Sequence, residues 1–218
     1  MKLAYNIMTY FSVASTILPL CIYFFIKGKT LNLQLKVLLF YLIVSFSADF
    51  FASLHIIYTN YYLINGFTFV EFLAILFVFE LQWNSPKLRP LFITIAVVFM
   101  AYFLLPFFSI LSLGDFYAHI NTFKALVFII MSIVYFSKLT NNTEIPSLTE
   151  YYFFWFNTAL LIYFSIVLSL FLVMNYITAP GAHGPIKHLW IIHNFAHVIY
   201  NCLLAVGLLK WKKATQSL

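Results

Sequence analysis

The sequence is poor in charge. Twelve Lys and Arg and six Asp and Glu amount to 8% of its 218 residues, whereas an ordinary soluble domain carries about 25%. That scarcity excludes a water-soluble globule, and with 64% of residues hydrophobic there is too little polar surface to cover one. Cysteine is scarce as well. Cys21 and Cys202 both sit in apolar runs, so they read as free packing residues and not as a disulfide framework. No internal repeat, low-complexity segment or domain boundary interrupts the chain. A net charge of +6 would suggest nucleic acid in a soluble protein. Here the basic residues are better explained as setting topology, and no nucleic-acid partner is expected.

What fills the chain is apolar sequence. Seven stretches, at residues 3–26, 33–57, 62–81, 91–113, 120–136, 151–175 and 189–209, are each near the ~20 residues that a helix needs to cross a bilayer. Only helices or closed barrels satisfy the backbone in lipid. Barrel strands alternate polar and apolar, which residues 38–44 do not. The first stretch is longer than a signal-peptide core and has no convincing small-x-small cleavage site. The expectation is an all-α, polytopic membrane protein: a single seven-transmembrane-helix bundle over residues 1–218.

Positive charge orients it. Lys27, Lys29, Lys36, Lys87, Arg89, Lys138, Lys210, Lys212 and Lys213 fall on one side, and Lys2, Lys124 and Lys187 on the other or within helix 5. Nine against three predicts the N-terminus outside and the C-terminus in the cytoplasm. Trp83, Trp155, Trp190 and Trp211 fall at helix ends, as an interfacial aromatic belt requires.

The ionisable residues inside the spans carry the functional argument, because an intramembrane charge costs about 2.5–3.5 kcal/mol on insertion scales and faces the bundle interior. In helix 7, His193, His197, Asn201 and Asn194 share an arc about 100° wide at 100° per residue. Counting inward at 1.5 Å per residue puts His55 about 7 Å, and Asp49 and Glu71 about 16 Å, from the outer boundary. His193, His197 and Lys124 fall roughly 6–12 Å in. The expected site is therefore an outer-leaflet polar pocket of Asp49, His55, Glu71, Lys124, His193, Asn194, His197 and Asn201. Lys124 could pair with Asp49 or Glu71. Glu80, on the opposite face of helix 3, reads as interfacial.

Two resemblances bear on this pocket. His193 and His197, after Trp190 and before Val198, with His55 on helix 2, resemble the zinc ligands of the superfamily containing adiponectin-receptor-like proteins, haemolysin III and alkaline ceramidases. That resemblance implies zinc on His55, His193 and His197, with Glu71 as the catalytic base of a lipid amide or ester hydrolase. Phe51 replaces the family's Ser before the helix 2 His, and Glu71 stands where the family has Asp. Second, His55–Thr59, Val70–Phe72 and the helix 7 His/Asn series are similar to small uncharacterised bacterial seven-helix proteins resembling sensor-kinase input modules. This implies a receptor-like module in the cell (inner) membrane, acting through a sensor kinase or other membrane partner. The layout also resembles microbial rhodopsins, but no Lys lies deep in helix 7, which argues against retinal. The leading expectation is a sensory or accessory module binding a small ligand, lipid or ion. The alternatives are the zinc hydrolase and a small transporter or proton relay.

Overall fold

The computed structural model describes residues 2–26, 33–53, 61–105, 113–141, 147–177 and 186–216. Among them are seven α-helices and no strand: α1 (Lys2–Ile26), α2 (Leu33–Ser53), α3 (Tyr61–Trp83), α4 (Arg89–Phe103), α5 (Leu113–Thr140), α6 (Tyr152–Ile177) and α7 (Ile186–Gln216). A single 3-10 turn, Leu148–Glu150, leads into α6. All of these except α4 are long and apolar enough to cross a membrane, the pattern of a multi-pass protein in a lipid bilayer. The expected span 91–113 is represented by the 15-residue α4, and residues 106–112 of that stretch lie outside the described residues. So do His55 and the expected end of helix 2.

Helix ends depart furthest from the hydropathy reading in two places. α5 begins at Leu113 rather than residue 120. α7 continues through Lys210 to Gln216, beyond the apolar run, because Lys, Ala and Gln are good helix formers once the chain reaches water. Hydropathy marks where the lipid ends, not where the hydrogen-bond ladder does.

The chain divides into two compact units, Met1–Lys29 with Asn121–Leu218, and Thr30–Ile120. In the second unit α2 packs on α3 and α3 on α4. The side chain of Gln34 at the start of α2 donates to Gln82 at the end of α3 at 3.0 Å, as antiparallel neighbours allow. α3 closes at Asn84, whose φ of 43° is left-handed and whose N–H bonds the Glu80 carbonyl at 3.0 Å. This is the usual helix stop when glycine is absent and Asn takes its place. Phe72 and Phe99 stack at 3.6 Å, and Phe69 meets Phe103 at 4.8 Å.

In the first unit α7 packs on both α1 and α6. Gly207 is what lets α6 approach. A Cβ there would stand 3.2 Å from the Tyr152 carbonyl oxygen and 3.4 Å from the Trp155 Cβ. At the same end Lys210 pairs with Glu150 at 2.6 Å, and Tyr152 packs edge-on against Trp211 at 4.0 Å. Cys21 and Cys202 are free, as expected, but both lie on exposed faces and not in packed interior. The sequence pattern alone does not separate lipid-facing from core-facing positions when both are apolar.

Candidate functional site

The polar arc of α7 is the centre of the first unit. Its four residues each meet a hydroxyl from a neighbouring helix. Asn194 Nδ2 donates to Thr9 Oγ1 at 3.1 Å, His197 Nδ1 lies 3.0 Å from Ser12 Oγ, and Asn201 Nδ2 donates to Ser15 Oγ at 2.9 Å. The partners advance together, from 9 to 12 to 15 on α1 and from 194 to 197 to 201 on α7, so the two helices run parallel. Steps of three residues on α1, and of three and four on α7, keep each series on one side of its helix. The fourth contact joins α6: Tyr163 OH lies 3.2 Å from His193 Nε2.

Local sequence prepares α1 for this role. Pro19 lies inside α1 and has no N–H, so the helix loses the bond to the carbonyl four residues earlier, at Ser15. Around that weakened turn the hydroxyls serve their own helix, Ser15 Oγ donating to the Ser12 carbonyl at 2.6 Å and Thr16 Oγ1 to Val13 at 2.7 Å. Ser15 thus donates along α1 and accepts from α7. Ser12 is buried and makes its contact across the seam to a buried His197.

Aromatic rings enclose the imidazoles. Tyr163 lies 5.9 Å from His193, 5.8 Å from His197 and 4.9 Å from Tyr200, and Trp190 caps His193 at 5.2 Å. Lys124 of α5 is buried, with its Nζ 5.6 Å from the Phe164 ring centre. It is near enough to His193 for their charges to interact. One atom stands out: His193 Nδ1 is shielded from solvent and meets no hydrogen-bond partner among the described residues. The Asn194 side chain, which gives one N–H to Thr9, also interacts with the His193 side chain but makes no bond to Nδ1 that meets hydrogen-bond geometry.

Asp49 and Glu71 belong to the second unit, on α2 and α3, close enough for their charges to interact. Glu71 is buried, as are Ser45 of α2 and Asn65 and Thr68 of α3. Glu80 pairs with Arg89 at 3.5 Å across the α3–α4 turn, with Arg89 exposed and Glu80 half-buried. Of the eight expected pocket residues, the first unit brings together His193, Asn194, His197, Asn201 and Lys124. His55 lies outside the described residues.

The imidazoles also permit a test of the zinc expectation. Two rings sharing a tetrahedral zinc at about 2.1 Å per bond have centres about 5 Å apart. The His193 and His197 centres are 6.5 Å apart, with planes within 18°, and each ring is turned to a hydroxyl on a different helix. As placed, the pair does not fit one zinc. Among the described residues, no group of three or more His, Cys, Asp or Glu side chains could hold a metal ion.

Several site residues are not readable as such in sequence. Thr9, Ser12 and Ser15 had a signal, three hydroxyls spaced by three on one apolar helix, and small hydroxyl residues are the usual glue between membrane helices. Tyr163 had none, being one of fifteen tyrosines. No family model matches the chain, and no curated protein or solved structure matches it.

Proposed function

We propose that this protein is a sensory or accessory membrane module, and that the seam of α1, α6 and α7 around His193 and His197 holds its small ligand. The observation that carries the reading is His193 Nδ1. A buried polar atom without a partner costs about 1–3 kcal/mol, and such atoms in native folds call for an explanation. A ligand group that hydrogen-bonds Nδ1 supplies one. Tyr163 fixes the ring from the opposite nitrogen, and Trp190 and Tyr163 offer aromatic walls. The partner that transmits occupancy is a sensor kinase or another membrane protein, in keeping with the resemblance of the chain to input modules.

The seven-span, N-outside arrangement in the cell membrane is part of this reading. Parity supports the count. Successive crossings alternate in direction, so two helices that run the same way are separated by an even number of steps. α1 and α7 are parallel neighbours, which suits seven crossings and not six, and so gives α4 the role of a span. The nine-to-three bias in positive charge supports the orientation.

Native mass spectrometry of protein extracted gently from its membrane tests the ligand. The expected result is a co-purifying small molecule or lipid that His193→Phe loses while remaining folded. Identical, ligand-free spectra for the two proteins would contradict the reading. The proton-relay alternative is favoured by one observation, that both imidazoles contact hydroxyls able to give or take a proton. Proton flux into vesicles carrying the purified protein, abolished by His197→Phe, is its expected signature.

A further inference from the structure

A second polar site lies on α6, about 120° around the helix from Tyr163 at 100° per residue. Asn157 of α6 and Ser132 of α5 are both fully buried. Asn157 Nδ2 donates to the Ser132 backbone carbonyl at 3.0 Å. Two oxygens are left over at this contact: among the described residues, neither Asn157 Oδ1 nor Ser132 Oγ has a hydrogen-bond partner.

Ser132 could have satisfied itself. On the same two helices Thr140, Thr158, Ser165 and Ser169 each fold the hydroxyl back onto the carbonyl four residues earlier, at 2.6–3.0 Å. Ser132 does not. Its hydroxyl offers a donor, and Asn157 Oδ1 an acceptor. Amide geometry keeps Oδ1 about 2.3 Å from Nδ2, which already touches the carbonyl of the same serine, so both oxygens belong to one α5–α6 contact. Aromatic pairs close the seam on either side along the helices. Phe128 and Phe164 meet at 5.0 Å in one direction, one turn from Ser132 on α5 and two turns from Asn157 on α6, and Tyr135 and Phe153 meet at 4.7 Å about one turn away in the other.

We infer that Ser132 and Asn157 bind an internal water, which accepts from Ser132 Oγ and donates to Asn157 Oδ1. One water restores both missing bonds, whereas an apolar occupant would restore neither. Buried waters in proteins typically make two to four bonds to polar groups that are otherwise unsatisfied. The two aromatic pairs would hold it as a slowly exchanging, structural water. It also puts a hydrogen-bonding molecule in the part of the first unit near the start of α6, where the sequence suggests only apolar packing.

A structure of the protein in lipid, at a resolution that shows ordered water, tests this directly. Density within hydrogen-bonding distance of both oxygens is expected in the wild type and absent in the Ser132→Ala, Asn157→Leu double variant. Thermal unfolding of the two single variants and the double supplies an independent reading. Each single change strands the other group, so the double variant should lose less Tm than the sum of the two. If Asn157→Leu does not fold, Asn157→Ala takes its place in the cycle. A dry site, a direct bond between Ser132 Oγ and Asn157 Oδ1, or strictly additive losses would overturn the inference.

Discussion

α3 and α4 meet through stacked phenylalanines, whereas α1 and α7, in the other unit, meet through hydroxyls, amides and imidazoles. The difference is one of information. A stack such as Phe72 on Phe99 gains dispersion over a broad area and tolerates sliding. The contacts of Thr9, Ser12 and Ser15 with Asn194, His197 and Asn201 are satisfied in one register and one direction only. In lipid, where apolar side chains have no water to escape, packing supplies the attraction and polar pairs supply the choice of neighbour.

The largest expected effect is on the aromatic seam. Phe72→Ala removes a fully buried ring and should cost about 3 kcal/mol, by analogy with large-to-small core changes, measured by reversible denaturation in mixed micelles. A loss no greater than that of an exposed change such as Phe40→Ala would break the contrast, since the stack would then carry no packing energy. Next comes the close approach on the other side of α7. Gly207→Leu forces bulk against the Tyr152 carbonyl and the Trp155 side chain and should cost about 1–3 kcal/mol as overpacking. Because that strain falls on the α6–α7 contact, cross-linking between cysteines placed on those helices should weaken with it, and unchanged cross-linking would show that the helices do not rely on the glycine.

The polar seam should show smaller numbers and stronger coupling. Ser12→Ala and His197→Phe, singly and together, should give an interaction energy of about 0.6–1.7 kcal/mol, the range for hydrogen bonds between membrane helices. The unlinked pair Ser12→Ala and Tyr163→Phe should give nearly additive losses. Equal coupling in both cycles would mean that the seam responds as a whole and not through the individual bonds described. Smallest of all, Glu80→Gln should change stability by less than about 0.5 kcal/mol, because its partner Arg89 is exposed and the two are 3.5 Å apart.

The helical architecture was legible in the sequence because lipid imposes one strong constraint, twenty or so apolar residues per crossing. The shared polar face of α7 was legible too, because four polar residues in an apolar helix have few places to go. What the sequence hides is what that face meets. Counting ionisable groups drew attention to residues such as Asp49 and Lys124, and passed over Thr9, Ser12 and Ser15, whose hydroxyls cost little to bury and so leave a weak mark. Tyr163 and Asn157 are beyond a single-sequence reading for another reason. Their roles come from which helix lies opposite, and hydropathy reports depth along the chain, not neighbours across the bilayer.

The central claim is that His193 receives a ligand through Nδ1, and nitrogen-15 solid-state NMR of histidine-labelled protein reads that atom. The resonance, assigned by its loss in His193→Phe, is compared in native membranes and after exhaustive exchange into a defined synthetic bilayer. The account predicts a hydrogen-bonded Nδ1 in native membranes whose shift moves toward the unbonded value after exchange, while Nε2, held by Tyr163, stays where it was. An Nδ1 shift that is the same in both preparations would contradict it, and would leave His193 as a residue that joins α7 to α6 and nothing more.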